Sequence, residues 1–130
     1  MRRPTGIRKN TLKMILGASA DMYPNEFGAI LRVDEDAVIA ELLLLPGTVS
    51  GRRSALFQLH MLPPDFDVVG TVHSHPSGAC YPSDEDLHLW SKFGGLHLIT
   101  GHPYGMENWA AFDFKGTPLK LEVVGVRRRR

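Results

Sequence analysis

The chain predicts an α/β domain in which a mixed β-sheet is flanked by helices. Three observations lead there. The length, 130 residues, suffices for one hydrophobic core but not for two. Short apolar or alternating segments, bounded by Gly, Pro and Asp, outnumber stretches of helical period. Their order, α-β-β-β-β-α-β-β-β, places helices between strands, the pattern of a layered α/β fold.

Each element has a local reason. Asn10 or Thr11 can cap a first helix whose apolar positions Leu12, Ile15 and Leu16, with Ser19, recur at helical spacing, and Pro24 closes it. Phe27 to Val33 reads as a strand, Asp34-Glu35-Asp36 as a turn, and Ala37 to Leu45 as the returning strand, ended by Pro46-Gly47. Arg52 to His60 alternates weakly and is read as a further strand. Pro63-Pro64-Asp65 is a loop before the strand Val68 to Ser74. Asp84 to Phe93 forms the second helix, stopped by Gly94-Gly95. Leu96 to Gly101, Trp109 to Phe114 and Leu119 to Val124 complete the set.

Composition bounds the function. Charged residues make up 22% and apolar residues 43%, the balance of a globular domain. The longest apolar run, Val38 to Leu45, is broken by Glu41, so no membrane span and no membrane partner are expected. The N-terminus is basic but lacks an apolar signal region, which points to the cytoplasm. The single cysteine, Cys80, excludes an internal disulfide and suits a reducing compartment. It has no evident base partner and reads as inert.

The net charge of +1 conceals a segregation. Arg2, Arg3, Arg8 and Lys9 make a basic extension over residues 1–10, and Arg127 to Arg130 a basic tail. The domain between them, residues 11–126, carries seven basic against fourteen acidic residues, about −7. The ends are read as solvated. They suit an acidic partner or nucleic acid, but the acidic middle disfavours a broad phosphate-binding face.

The chemistry concentrates in Val68-Val-Gly-Thr-Val-His73-Ser-His75-Pro-Ser-Gly-Ala-Cys-Tyr-Pro82-Ser83-Asp-Glu-Asp86. On a strand, His73 and His75 share a face ~7 Å apart, and their rings can converge on one ion. Pro76, Gly78 and Pro82 turn the chain. Ser83 then opens a helix, with Asp86 in its first turn, and Ser83-x-x-Asp86 also fits a capping box. Two imidazoles and a carboxylate suit one Zn²⁺ per chain, and three protein ligands leave a fourth position open, the mark of a catalytic site. Ser83 adds a hydroxyl donor for an oxyanion. Ser74, between the ligands, faces away from the ion. His60, His88, His97 and His102 lack paired spacing and read as core or surface residues, as do Trp90 and Trp109. His97 or His102 could lie behind the ligands.

His73-x-His75-x(7)-Ser83-x(2)-Asp86 resembles, residue for residue, the signature of the JAMM (MPN+) metalloproteases. Over about Thr11 to Val124 the chain is similar to a compact prokaryotic member. The resemblance implies a cytidine-deaminase-like fold. It also implies an upstream glutamate acting as general acid/base in a Pro-x-Glu pattern followed by glycine. Here Pro24-Asn-Glu26-Phe-Gly28 matches, so Glu26 takes that role. Phe27 stands where a small residue or Cys is common. The segment after Asp86 is too short for the long insertions of some eukaryotic relatives.

The function this implies is a zinc isopeptidase that cleaves amide bonds at the C-terminus of ubiquitin-like modifiers, which in prokaryotic relatives include sulfur-carrier-like proteins. The loop Leu45 to Arg53, with Arg52 and Arg53, is a candidate for gripping such a substrate. The alternatives are a non-catalytic interaction module, as relatives lacking the motif are, and a nucleic-acid-associated member. The intact Glu26, His73, His75, Ser83 and Asp86 argue against the first.

Overall fold

The strand carrying both histidines lies inside the sheet, with a neighbour on each side. The computed structural model describes residues 3–44 and 65–125. The strands are β1 Gly6–Arg8, β2 Gly28–Val33, β3 Val38–Leu43, β4 Val68–His75, β5 Leu96–Gly101, β6 Trp109–Asp113, β7 Pro118–Leu119 and β8 Glu122–Val124. Helix α1 spans Lys9–Met22 and α2 spans Asp84–Phe93. The strands form one mixed sheet in the order β7-β6-β5-β4-β2-β3-β1-β8. No helix among the described residues is long and apolar enough to cross a membrane.

Strand alternation divides the core between the two faces. Leu96 and Leu98 of β5 join Leu12, Ile15 and Leu16 of α1 in the larger cluster, together with Ile7, Ala29, Leu31 and Ile39. Ile99 of β5 and Phe112 of β6 point the other way, against Leu89 and Trp90 of α2. Strand β4 runs antiparallel to β2 and parallel to β5, with Gly28 opposite His73 and Ser74 beside Thr100. A parallel pair needs a crossover, and α2 supplies it between β4 and β5. Gly70 lets the two strands meet, because a Cβ there would lie 1.5 Å from the Leu96 carbonyl oxygen.

Three sequence expectations are corrected. Gly6–Arg8, inside the basic extension, is a strand paired in parallel with both β3 and β8. Ile7 is fully buried there, while Arg8 donates to Asp34 at 2.7 Å and Asp36 at 3.3 Å. Three residues with one apolar side chain carry no periodic signal, and their pairing comes entirely from distant strands. Helix α1 starts at Lys9 after Arg8 with no side-chain cap; Thr11 instead donates to the Ala40 carbonyl and ties the helix to β3. The expected last strand, Leu119 to Val124, is two strands, β7 and β8, on opposite edges of the sheet. The expected strand Arg52 to His60, the loop Leu45 to Arg53 and the tail 127–130 lie outside the described residues.

Candidate metal centre

His73 and His75 emerge at the C-terminal end of β4, where β4, β5 and the start of β2 converge. The turn after β4 is anchored by its own backbone and by β5. Gly78 N–H donates to the His75 carbonyl at 2.9 Å, and His102 N–H to the same oxygen at 3.3 Å. Gly101 ends β5 without a side chain, since a Cβ there would lie 2.7 Å from Cys80 Sγ and 2.8 Å from the Gly78 oxygen. The turn therefore packs directly on β5, which fixes where α2 begins.

Helix α2 opens with the capping box read from the sequence. Asp86 N–H donates to Ser83 Oγ at 3.2 Å, and Ser83 N–H donates to Asp86 Oδ2 at 2.9 Å. Both satisfy donors that a helix start leaves open. The same carboxylate meets the histidines. Asp86 Oδ1 lies 3.1 Å from His73 Nε2, and Oδ2 lies 3.2 Å from His75 Nε2. The two Nε2 atoms are 2.9 Å apart.

These groups converge as ligands to one ion would. Each offers one ligand atom, those atoms all lie within 4.8 Å of one another, and two imidazole nitrogens with a carboxylate oxygen are donors that zinc takes. His75 is set in the ligating tautomer: Nδ1–H donates to the Ala79 carbonyl at 2.7 Å, leaving the Nε2 lone pair to face Asp86 and His73. His73 and Asp86 are buried, and His75 is partly exposed at the mouth. Burial pushes the Asp86 carboxyl up, but the His73 and His75 imidazoles beside it and the Ser83 N–H hold it well below the usual carboxylate range. The direction of the shift favours the anion, the form in which a carboxylate ligates a metal. The three residues thus fit one zinc ion per chain.

Trp90, given no function from the sequence, and His97, one of the two histidines that could lie behind the ligands, pack there. Trp90 stands one helical turn after Asp86. Its ring stacks on His97 at 4.7 Å between centroids and packs against His73 at 6.1 Å. His97 is fully buried. It donates Nε2–H to the Gly94 carbonyl and accepts from the Thr71 hydroxyl at Nδ1, both at 2.6 Å. Burial lowers the His97 pKa to about 3, so it stays neutral and adds no charge behind the metal ligands. The spacing of Trp90 from Asp86, four residues, already marked a shared helix face. The role of His97 needed the β4–β5 register, which puts it beside Thr71.

Glu26 lies between α1 and β2. The β2–β4 ladder pairs Gly28 with His73, and Ser74 N–H donates to the Phe27 carbonyl at 2.9 Å. Glu26 thus stands two residues before Gly28, outside the strand itself. Ser74 is buried and turned to the other face, as its position predicts. His88 is exposed, and so is His102, whose ring stacks on Tyr23. Burial raises the Cys80 thiol, consistent with an inert residue. His60 lies outside the described residues.

Residues 9–113 match the family described as prokaryotic homologs of the JAB domain. This chain belongs to that family. A probable metalloprotease of Haloferax volcanii is 41% identical over 132 aligned positions, covering 95% of this chain and 81% of that protein. The JAB domain described here also superimposes on a JAB1/MPN domain protein from Archaeoglobus fulgidus with a TM-score of 0.74 and 40% identity, over 92% of this chain and 98% of the other. A second structure, described as JAMM, a metalloprotease-like zinc site in the proteasome and signalosome, gives 0.74 and 38%, over 93% and 98%. The mixed sheet and helices of this chain are thus the JAMM/MPN fold, with a JAMM-type ligand set for zinc, and the chain is metalloprotease-like.

Proposed function

We propose that this JAB domain is a zinc isopeptidase that hydrolyses amide bonds at the C-terminus of ubiquitin-like, sulfur-carrier-like modifier proteins. One observation carries the reading. Three ligand atoms converge at the end of β4, beside the α2 cap that holds Ser83. The support for the modifier as substrate is the family resemblance of these positions together with Glu26. A cytoplasmic setting belongs to the same reading, since the lone Cys80 suits a reducing compartment.

Each residue has a defined task. His73, His75 and Asp86 would hold the ion, which when bound supplies a Lewis acid and lowers the pKa of water to about 7. Glu26 takes the proton of the attacking water and returns it to the leaving amine, the two halves of general acid/base work. Ser83 donates its hydroxyl to the carbonyl oxygen as charge develops there. Its Oγ already accepts from Asp86 N–H, so the oxygen is fixed and the proton remains to give. A serine nucleophile is disfavoured, because Ser83 meets a carboxylate and a backbone amide rather than a histidine base.

The binding alternatives are weaker. A purely structural MPN-type module has no need for a buried carboxylate held between two imidazoles. In a nucleic-acid reading the basic N-terminal segment would contact phosphate, yet Arg8 is engaged with Asp34 and Asp36. The test is to incubate zinc-loaded protein with ubiquitin-like conjugates and follow the products by mass. Release of the modifier with an intact C-terminal carboxylate, absent with Glu26→Gln, is the expected result. No cleavage of any conjugate or modifier-tail amide would overturn the reading.

A further inference from the structure

The structure assigns Ser74 the task of aiming Glu26; the inference rests on the general acid/base reading of Glu26 given above. Ser74 is the residue between the two ligands, fully buried on the α1 face of the sheet. In a regular antiparallel pair the two facing residues exchange two N–H···O=C bonds. Ser74 and Phe27 make only one of them, from Ser74 N–H to the Phe27 carbonyl at 2.9 Å. For the other, Phe27 N–H donates at 2.7 Å to the Ser74 hydroxyl oxygen, in the place of the Ser74 carbonyl.

The consequence is geometric. The acceptor lies off the ladder, toward the α1 face, so β2 departs from β4 at Phe27 in a direction the Ser74 side chain sets. The residue that departs first is Glu26. One side chain therefore fixes the strand bearing both imidazoles to the residue that follows the proton carrier. Its surroundings are rigid: Thr100, its partner on β5, is fully buried, and its hydroxyl lies 2.9 Å from Ser19 Oγ, which donates to the Ile15 carbonyl at 2.8 Å. Phe27 is buried as well, so its N–H is shielded from bulk solvent. A misplacement of about 1 Å at a reacting group can cost 10²-fold in rate.

Ser74→Ala, Ser74→Thr and Glu26→Gln test this, alone and combined. Hydrogen exchange of the Phe27 amide reads the contact without any substrate. It should quicken at least about ten-fold in Ser74→Ala and return in Ser74→Thr, which keeps an oxygen acceptor. With an aminocoumarin amide of a ubiquitin-like tail as probe, Ser74→Ala should lower kcat roughly 10- to 100-fold with KM and zinc content unchanged. Ser74→Thr should recover most of that loss. In the Glu26→Gln background Ser74→Ala should add nothing, since it acts through Glu26. Should Ser74→Ala fail to fold, Ser74→Cys, a weak acceptor of similar volume, is judged by the same criteria.

An unchanged Phe27 exchange rate, full activity of the Ser74 variants, loss of zinc in them, or additive losses in the double variant would overturn the assignment. Full activity of Glu26→Gln alone would instead overturn the general-base reading, and the exchange result would still report on the contact.

Discussion

Asp86 Oδ2 accepts the Ser83 N–H at 2.9 Å and lies 3.2 Å from His75 Nε2. One carboxylate oxygen thus closes the start of α2 and faces the metal site. Helix capping and ligand placement are a single arrangement, and substitutions can separate them.

Asp86→Asn keeps an oxygen for the Ser83 N–H but removes the charge. It should leave α2 folded and abolish tight zinc binding, measured by circular dichroism and metal content. Ser83→Ala removes the Oγ that accepts Asp86 N–H. It should cost about 1 kcal/mol of stability, lower kcat roughly 10²- to 10³-fold, and retain zinc. Loss of zinc in Ser83→Ala would show that the cap orients the ligand more strongly than this account allows.

Glu26→Gln should bind zinc and melt as the wild type does, while turnover falls by roughly 10² to 10⁴. Hydrolysis at near wild-type speed would remove Glu26 from the proton path.

His97 predicts a pH dependence. Its pKa in the folded chain is lowered to about 3 by burial, against about 6.5 unfolded. The unfolded state therefore binds the extra proton first. The contribution of the neutral buried ring is fully present above pH ~6.5 and is lost as the pH falls toward 3. In metal-free protein, urea unfolding of His97→Gln should show a lower stability at pH 7 and a flatter loss between these limits. A parallel pH dependence in variant and wild type would contradict the neutral His97.

Ile7 tests the strand missing from the sequence reading. Fully buried between β3 and β8, it should cost about 2–5 kcal/mol when changed to Ala. A solvated extension would give no measurable change.

The metal site was legible because its information is local. A strand puts residues two apart on one face, and a capping box fixes the carboxylate of Asp86 by a three-residue interval, so His73, His75, Ser83 and Asp86 could be placed without tertiary structure. Glu26 was reached through the Pro-x-Glu resemblance alone, and the β2–β4 register begins two residues after it. The elements misread are those whose reasons are distant. Gly6–Arg8 is a strand because β3 and β8 pair with it, and β7 and β8 separate to opposite edges although they are adjacent in the chain. Thr11, a plausible cap, is used to hold β3 instead. Ser74 was correctly turned from the ion, but its bond to Phe27 depends on the register of a strand forty-seven positions away.

The most direct test of the account is the zinc content of extensively dialysed protein. It predicts close to one zinc per chain in the wild type, and a loss of tightly held zinc in His73→Ala/His75→Ala with the fold retained. A wild-type value near zero, or undiminished zinc in the double variant, would contradict it.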